Sequence, residues 1–228
     1  MNAIVSADNP PPPASERVRI RRGAELGHYD RERLNAIVDA AYLCHLAFSD
    51  ARGTHCIPMA SWRIDDHLYL HGSNGSQLLK AAAAGVQVCA TVTHLDGLVL
   101  ARSAFHHSMN YRSAVMVGVC EPVSGDAKAL ALDALTERMG AGRAAQARRA
   151  NEKELNATTV LRLPLSEFAC KTRSGGPNDA PEDKDLPVWA GELPLVLAAG
   201  VPVADKGNQA PAPTYVAAWA DSLPDAPI

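Results

Sequence analysis

Charge of one sign is what this chain most lacks. Among 228 residues, 22 Lys and Arg stand against 25 Asp and Glu, a formal charge of −3. So balanced a chain carries no basic field to hold nucleic acid or an anionic membrane, and neither is expected as a partner. Long apolar runs are missing too. No stretch reaches the roughly 18 apolar residues of a spanning helix, and the start, MNAIVSADNPPPP, lacks a basic lead followed by an apolar stretch. These absences predict a cytoplasmic protein. Cysteine occurs only at Cys44, Cys56, Cys89, Cys120 and Cys170, an odd number with no CxxC pair. That pattern argues against a disulfide framework; the four cysteines inside apolar runs read as small buried hydrophobes. There is no internal repeat, GK[ST] ending, GxGxxG or GxSxG, which removes solenoids, P-loops, dinucleotide fingerprints and the nucleophile elbow.

What is present suffices for a core. Apolar residues make up 47% of the chain, and one domain with tails is expected: a disordered Pro-rich arm at 1–16, a folded domain at 17–203 and a Pro/Ala-rich tail at 204–228. In YDRERLNAIVDAAY, Leu34, Ile37, Val38 and Ala41 recur at helical spacing with Asp30 as N-cap. Five strand-like runs follow, at 43–48, 55–63, 67–71, 87–94 and 98–104, with hairpin-length connectors such as SDARGT and IDDH. Further runs lie at 113–123 and 158–170. Helices are expected at 76–84, at 126–139 with Asp126 as N-cap and Leu130, Leu132 and Leu135 on its apolar face, and near 151–157. The fold class predicted is α+β, mainly β: an antiparallel barrel with peripheral helices.

Three constellations could carry chemistry. In DHLYLHGSNGSQLLKAAAAG a strand runs through Gly72, Ser73, Asn74, Gly75 and Ser76 into a helix, where convergent N–H groups and the helix dipole favour a phosphate. The same residues would serve equally as a cap. His71 sits at the strand end just before this loop. A second segment, ARSAFHHSMNYRSA, gathers Arg102, His106, His107, Asn110, Tyr111, Arg112 and Ser113 between two apolar runs; such a cluster needs either a polar ligand or a solvated hairpin tip. His106 and His107 are adjacent, so on a strand they face opposite sides, and no metal site is expected. Lastly, Lys171 and Arg173 end a strand and Trp189 follows an acidic loop: either a phosphate and ring-stacking site, or a charged strand end and a core tryptophan.

The order LCHLAF, HCIPMASW, LYLHGSNGSQLLK, ARSAFHHSMNYRSA, KTRSGGP and LPVWAG resembles the flavin-nucleotide-binding branch of the pyridoxamine 5′-phosphate oxidase-like superfamily, the branch with nitroimidazole-resistance proteins. The resemblance spans about residues 17 to 200. It implies an FMN-binding split β-barrel, a homodimer, and FMN between the protomers. On that pattern Ile57, Pro58, Met59, Ala60 and Trp62 pass along the flavin ring, and Ser73 and Ser76 meet the phosphate, with Lys80 or Arg112 in support. Ser113, Lys171, Arg173 and Trp189 complete the cofactor set, and His71 lies near the ring as proton donor or substrate contact. One departure matters: the vitamin B6 oxidases carry an Arg-Lys pair after the Gly-Ser of this loop, whereas Asn74 and Gly75 stand here. The implied activity is FMN-dependent reduction of a small, flat, electron-poor acceptor such as a nitro-aromatic compound. The alternative is a flavin- or haem-binding barrel without catalysis, with His71, His106 or His107 as axial ligand.

Overall fold

The computed structural model describes residues 11–216. Its ten-stranded sheet runs in the order β1-β9-β6-β5-β2-β3-β4-β8-β7, with β10 paired to β5. The strands are β1 (Gly27–His28), β2 (Leu43–Asp50), β3 (Gly53–Ile64), β4 (His67–Ser73), β5 (Gln87–Leu100), β6 (Ser108–Val119), β7 (Glu121–Val123), β8 (Thr158–Pro164), β9 (Phe168–Arg173) and β10 (Gly191–Pro194). The helices are α1 (Arg31–Asp39), α2 (Gln77–Ala83), α3 (Gly125–Met139), α4 (Arg143–Gln146) and α5 (Glu152–Ala157). The fold is the mainly antiparallel split β-barrel with peripheral helices that the sequence led one to expect.

The chain divides into two compact units. The first runs to His94 and adds Arg112–Leu132 and Arg149–Arg173. Its core follows strand alternation: Cys44, Leu46 and Phe48 of β2 point inward with Leu68 and Leu70 of β4, Met116 of β6 and Leu161 and Leu163 of β8. Helix α1 covers this core with Leu34, Ile37 and Val38, and its start is fixed by Asp30, whose Oδ1 accepts the Arg33 N–H at 2.8 Å. Burial pushes the thiol of Cys44 up to about 11 and those of Cys120 and Cys170 to about 12. Those three are buried hydrophobes, whereas Cys89 is half-buried. At the end of the Pro-rich segment, Ser15 and Arg17 both donate to the Glu167 carboxylate, and their bonds hold its pKa below the usual range.

His28 ties β1 to this unit. Its Nε2 lies 3.0 Å from Thr172 Oγ1 and 3.1 Å from Arg33 Nη1, and burial together with the Arg33 charge lowers its pKa. A histidine with a depressed folded pKa binds protons more tightly when unfolded, so its contribution is present above about pH 6.5 and lost as pH falls toward the folded value. Acid titration of the melting temperature is therefore expected to be shallower in His28→Gln than in wild type between about pH 6.5 and 5. Identical slopes would remove His28 from the account.

In the second unit, Leu95–Tyr111, Asp133–Arg148 and the chain from Ser174, β10 pairs with the far end of β5 through Gly97↔Pro194 to Leu100↔Gly191. This explains why the runs at 87–94 and 98–104 form one strand ending at Leu100. Gly97 is the close-approach point: a Cβ there would lie 3.1 Å from the Leu193 carbonyl oxygen. Two other boundaries move. The 158–170 run turns after Pro164 and becomes β8 and β9. Helix α3 starts at Gly125, so Asp126 lies in its first turn and is not the cap; Leu130 is 63% exposed and the buried residue is Ala131. Leucine spacing misplaced the face because α3 buries little of its surface.

Candidate functional site

β4 presents two different faces. Leu68 and Leu70 enter the core, so Tyr69 and His71 lie on the opposite face. Across the sheet Tyr69 is registered with Trp62 of β3, and His71 with Val160 of β8. Trp62 is only 1% exposed. It stacks on Tyr69 at 5.8 Å and 30° and meets His71 edge-on at 5.6 Å and 64°. His71 is half-buried, and that burial lowers its pKa, so the imidazole is neutral at pH 7. Among the described residues, neither the buried Nδ1 of His71 nor the buried Nε1 of Trp62 has a hydrogen-bond partner. Two orphaned polar atoms on adjoining rings are costly, and such sites call for an explanation.

The loop after His71 takes the capping role. Ser76 Oγ accepts the Leu79 N–H at 3.3 Å and caps α2, while Ser73 Oγ accepts the Gly75 N–H at 3.1 Å. The Ser76 N–H is spent on the Ser73 carbonyl at 2.9 Å. Asn74 is a clamp: its N–H donates to the Ala157 carbonyl at 3.1 Å, its Nδ2 to the Asn156 carbonyl at 2.5 Å, and its Oδ1 accepts from Thr159 at 2.7 Å. Gly72 admits the helix, since a Cβ there would lie 2.8 Å from Leu79 Cδ1. The N–H groups of Asn74, Gly75 and Ser76 are thus committed within the protein, leaving the two serine hydroxyl protons and the exposed Lys80 to offer a phosphate. Ser76→Ala is expected to lower stability by about 1 kcal/mol through the lost cap. A chemical-denaturation midpoint unchanged from wild type would contradict that role.

The other expected cofactor residues fall into smaller groups. Pro58, Met59 and Ala60 lie on β3 opposite His45, Cys44 and Leu43. Ser113 of β6 donates to the Lys171 carbonyl at 3.3 Å, and the Lys171 ammonium donates to the Arg22 carbonyl at 2.9 Å. Arg112, within β6, and Arg173, at the end of β9, are half-buried. Trp189 belongs to the second unit, 68% exposed, its ring 2.8 Å from where a Cβ on Gly191 would sit. None of these residues lines the open cleft of about 470 Å³ around Phe48, Gln87 and Cys89, where Arg17 is held by Glu167 and Gln87.

Of the polar cluster at 102–113, Arg102 and Asn110 find protein partners within the second unit. Arg102 donates to Asp179 through its backbone N–H at 2.9 Å and through Nη1 at 2.6 Å, and the Asn110 amide donates to Glu192 at 2.6 Å. The acidic loop at 174–185 supplies Asp179, and strand β10 supplies Glu192. His106 and His107 are not on a strand. They close a turn at Ala104–His106, where His106 Nδ1 lies 3.1 Å from Ser103 Oγ and His107 Nδ1 donates to the Ser103 carbonyl at 3.0 Å. Both Nδ1 atoms are thus committed to that turn.

Comparison with known proteins agrees with this architecture, and the family's sequence profile matches residues 30–172. The chain belongs to the pyridoxamine 5′-phosphate oxidase family. Among solved structures it is similar to the flavocytochrome Anf3 from Azotobacter vinelandii, at 35% identity and a TM-score of 0.87 over 92% of this chain and 99% of that one. It is also similar to the FAD- and haem-binding protein from Mycobacterium smegmatis, at 37% identity and a TM-score of 0.82 over 86% and 97%. A candidate 5-nitroimidazole resistance protein from Bacteroides thetaiotaomicron, at 22% identity and a TM-score of 0.52 over 64% and 85%, shares the fold. No curated protein matches the chain.

Proposed function

We propose that this chain is a flavin- and haem-binding redox protein in which His71 is the axial ligand to the haem iron. The observation that carries the proposal is the half-buried, neutral imidazole of His71, aligned by Trp62 and without a hydrogen-bond partner at its buried nitrogen. A neutral imidazole can ligate iron, whereas it is a poor proton donor at pH 7. The ligand role therefore replaces the proton-donor role expected from sequence. Supporting it, the two relatives at 35% and 37% identity are described as a flavocytochrome and as an FAD- and haem-binding protein. When bound, flavin and haem supply two-electron and one-electron transfer.

The chain's own residues would bind and orient. Trp62 and Tyr69 exclude water from one side of His71, and the hydroxyls of Ser73 and Ser76 with Lys80 are offered to the flavin phosphate. The flavin was expected to be FMN; chromatography of the released cofactor decides between FMN and FAD. A homodimer is part of the same reading, since strands of the first unit leave Leu43, Ile57, Val115 and Val119 at 36% exposure or more. Among the described residues no helix is long and apolar enough to cross a membrane. The test is anaerobic addition of a reduced nicotinamide to the loaded protein. Bleaching of the flavin bands followed by conversion of the haem to its ferrous spectrum supports the proposal. Recovery on adding a nitro-aromatic compound would extend it to the acceptor expected from sequence. Failure of a flavin-loaded, haem-loaded protein to reduce the haem would confine the chain to binding.

A further inference from the structure

We infer that Trp62 is a positioning residue for His71, fixing the plane of the imidazole by an edge contact where such histidines ordinarily use a hydrogen bond. The inference rests on the haem reading of the same site, but its evidence is the ring geometry. A ligating histidine usually donates its second ring N–H to a carboxylate or carbonyl, which sets both tautomer and orientation. Here the buried Nδ1 of His71 has no such partner among the described residues. Orientation must then come from packing. Val160 faces His71 across β8 and is 1% exposed, while the indole of Trp62 approaches the ring at 5.6 Å and 64°.

The indole is itself braced. It stacks on Tyr69 at 5.8 Å, and Tyr69 is paired in register with Arg162 of β8, whose Nε donates to Glu121 at 2.7 Å. A line of contacts thus runs from the paired charges on β8 and β7 through two rings to the imidazole. Filling the space alone would not call for tryptophan here. Its Nε1–H is buried without an acceptor, a cost that leucine or phenylalanine would avoid. What tryptophan adds is a long, rigid edge that reaches diagonally across the strand pair, where a direct cross-strand neighbour would face its own partner.

Three full-length variants test this. Trp62→Leu removes the edge, Trp62→Phe keeps a shorter ring on the same stack, and Tyr69→Leu removes the brace while leaving Trp62 in place. The first readout is the side-chain order of the His71 ring in the cofactor-free protein, from ¹³C relaxation of its Cε1–H. The ring is expected to be mobile in Trp62→Leu, partly loosened in Tyr69→Leu and close to wild type in Trp62→Phe. In the haem-loaded protein the expected accompaniment is haem release faster by about tenfold or more in Trp62→Leu, with an altered ferric electron paramagnetic resonance spectrum, and partial rescue by Trp62→Phe. A His71 ring as ordered in Trp62→Leu as in wild type would overturn the inference, leaving Trp62 as core alone. Should Trp62→Leu fail to fold, a His71 ring as ordered in Tyr69→Leu as in wild type overturns it equally. A wild-type protein that takes up no haem would instead overturn the haem reading, and the ring measurement would still decide the role of Trp62.

Discussion

His71→Ala is expected to weaken haem binding by two orders of magnitude or more while leaving the fold and the flavin in place. This is the largest functional effect expected of any single substitution in the chain. His71 faces away from the core and its buried Nδ1 is unpartnered, so truncation removes an orphaned polar atom as well as a ring contact with Trp62. The two effects oppose each other, and stability is expected to move by no more than about 1 kcal/mol. Haem affinity, in contrast, would lose the proposed His71 ligand and should fall by two orders of magnitude or more, at or beyond the upper end of what even the loss of an outer-shell partner costs, about 10–100-fold. Haem titration followed at the Soret band, with flavin content measured on the same sample, checks both halves. A wild-type haem spectrum at wild-type affinity in His71→Ala would assign the iron to another side chain.

One residue earlier the expectation reverses. Leu70 is 0% exposed, registered between Ser61 of β3 and Leu161 of β8, and part of the principal core. Leu70→Ala removes buried methyl groups and leaves a cavity in a sheet that cannot collapse around it. It is expected to destabilise the protein by about 2–5 kcal/mol. At temperatures where the variant is folded, haem and flavin uptake should remain near wild type, because the lost contacts lie on the core face. The measurement is a denaturant midpoint beside a haem titration. A Leu70→Ala protein as stable as wild type would mean that the two faces of β4 have been assigned the wrong way round. The pair of substitutions, at adjacent positions, separates what the strand contributes to stability from what it contributes to the site.

How much of this was legible beforehand differs by kind of signal. Strand-like runs with hairpin-length connectors located β2, β3 and β4, and period-3.6 spacing with Asp30 located α1; β2, β4 and α1 each bury one well-defined face. Where burial is weak the spacing misled: α3 shows leucines to solvent, and Asp126 sits one residue inside its start. The strand β5 looked like two because Gly97 resembles a turn residue. Its reason for being glycine, the approach of β10, lies nearly a hundred residues away in the chain. The same holds for the cluster around Arg102 and Asn110, whose partners Asp179 and Glu192 come from a segment with no local signal beyond its acidity.

The candidate site was half legible. Position alone, at a strand end before a glycine-serine loop, singled out His71, but nothing local showed that Trp62 would lie against it or that His71 Nδ1 and Trp62 Nε1 would be buried without partners among the described residues. The loop itself carried two readings, phosphate cradle and helix cap. Asn74 decides how far each holds: it ties the loop to α5 and β8, commits the backbone donors, and leaves only hydroxyl protons and Lys80 for an anion. A clamp made of one side chain and two distant carbonyls has no sequence signature, so an asparagine there reads as a missing cation until the neighbours are seen.

The central claim is that one chain holds both cofactors, with haem on His71. The most direct test is the absorption spectrum of the full-length protein purified from cells supplied with haem and compared with His71→Ala prepared identically. The account predicts a Soret band together with flavin absorption in the wild type, and flavin absorption alone in the variant. A Soret band of equal intensity in both proteins, or its absence from both while flavin is bound, would contradict it.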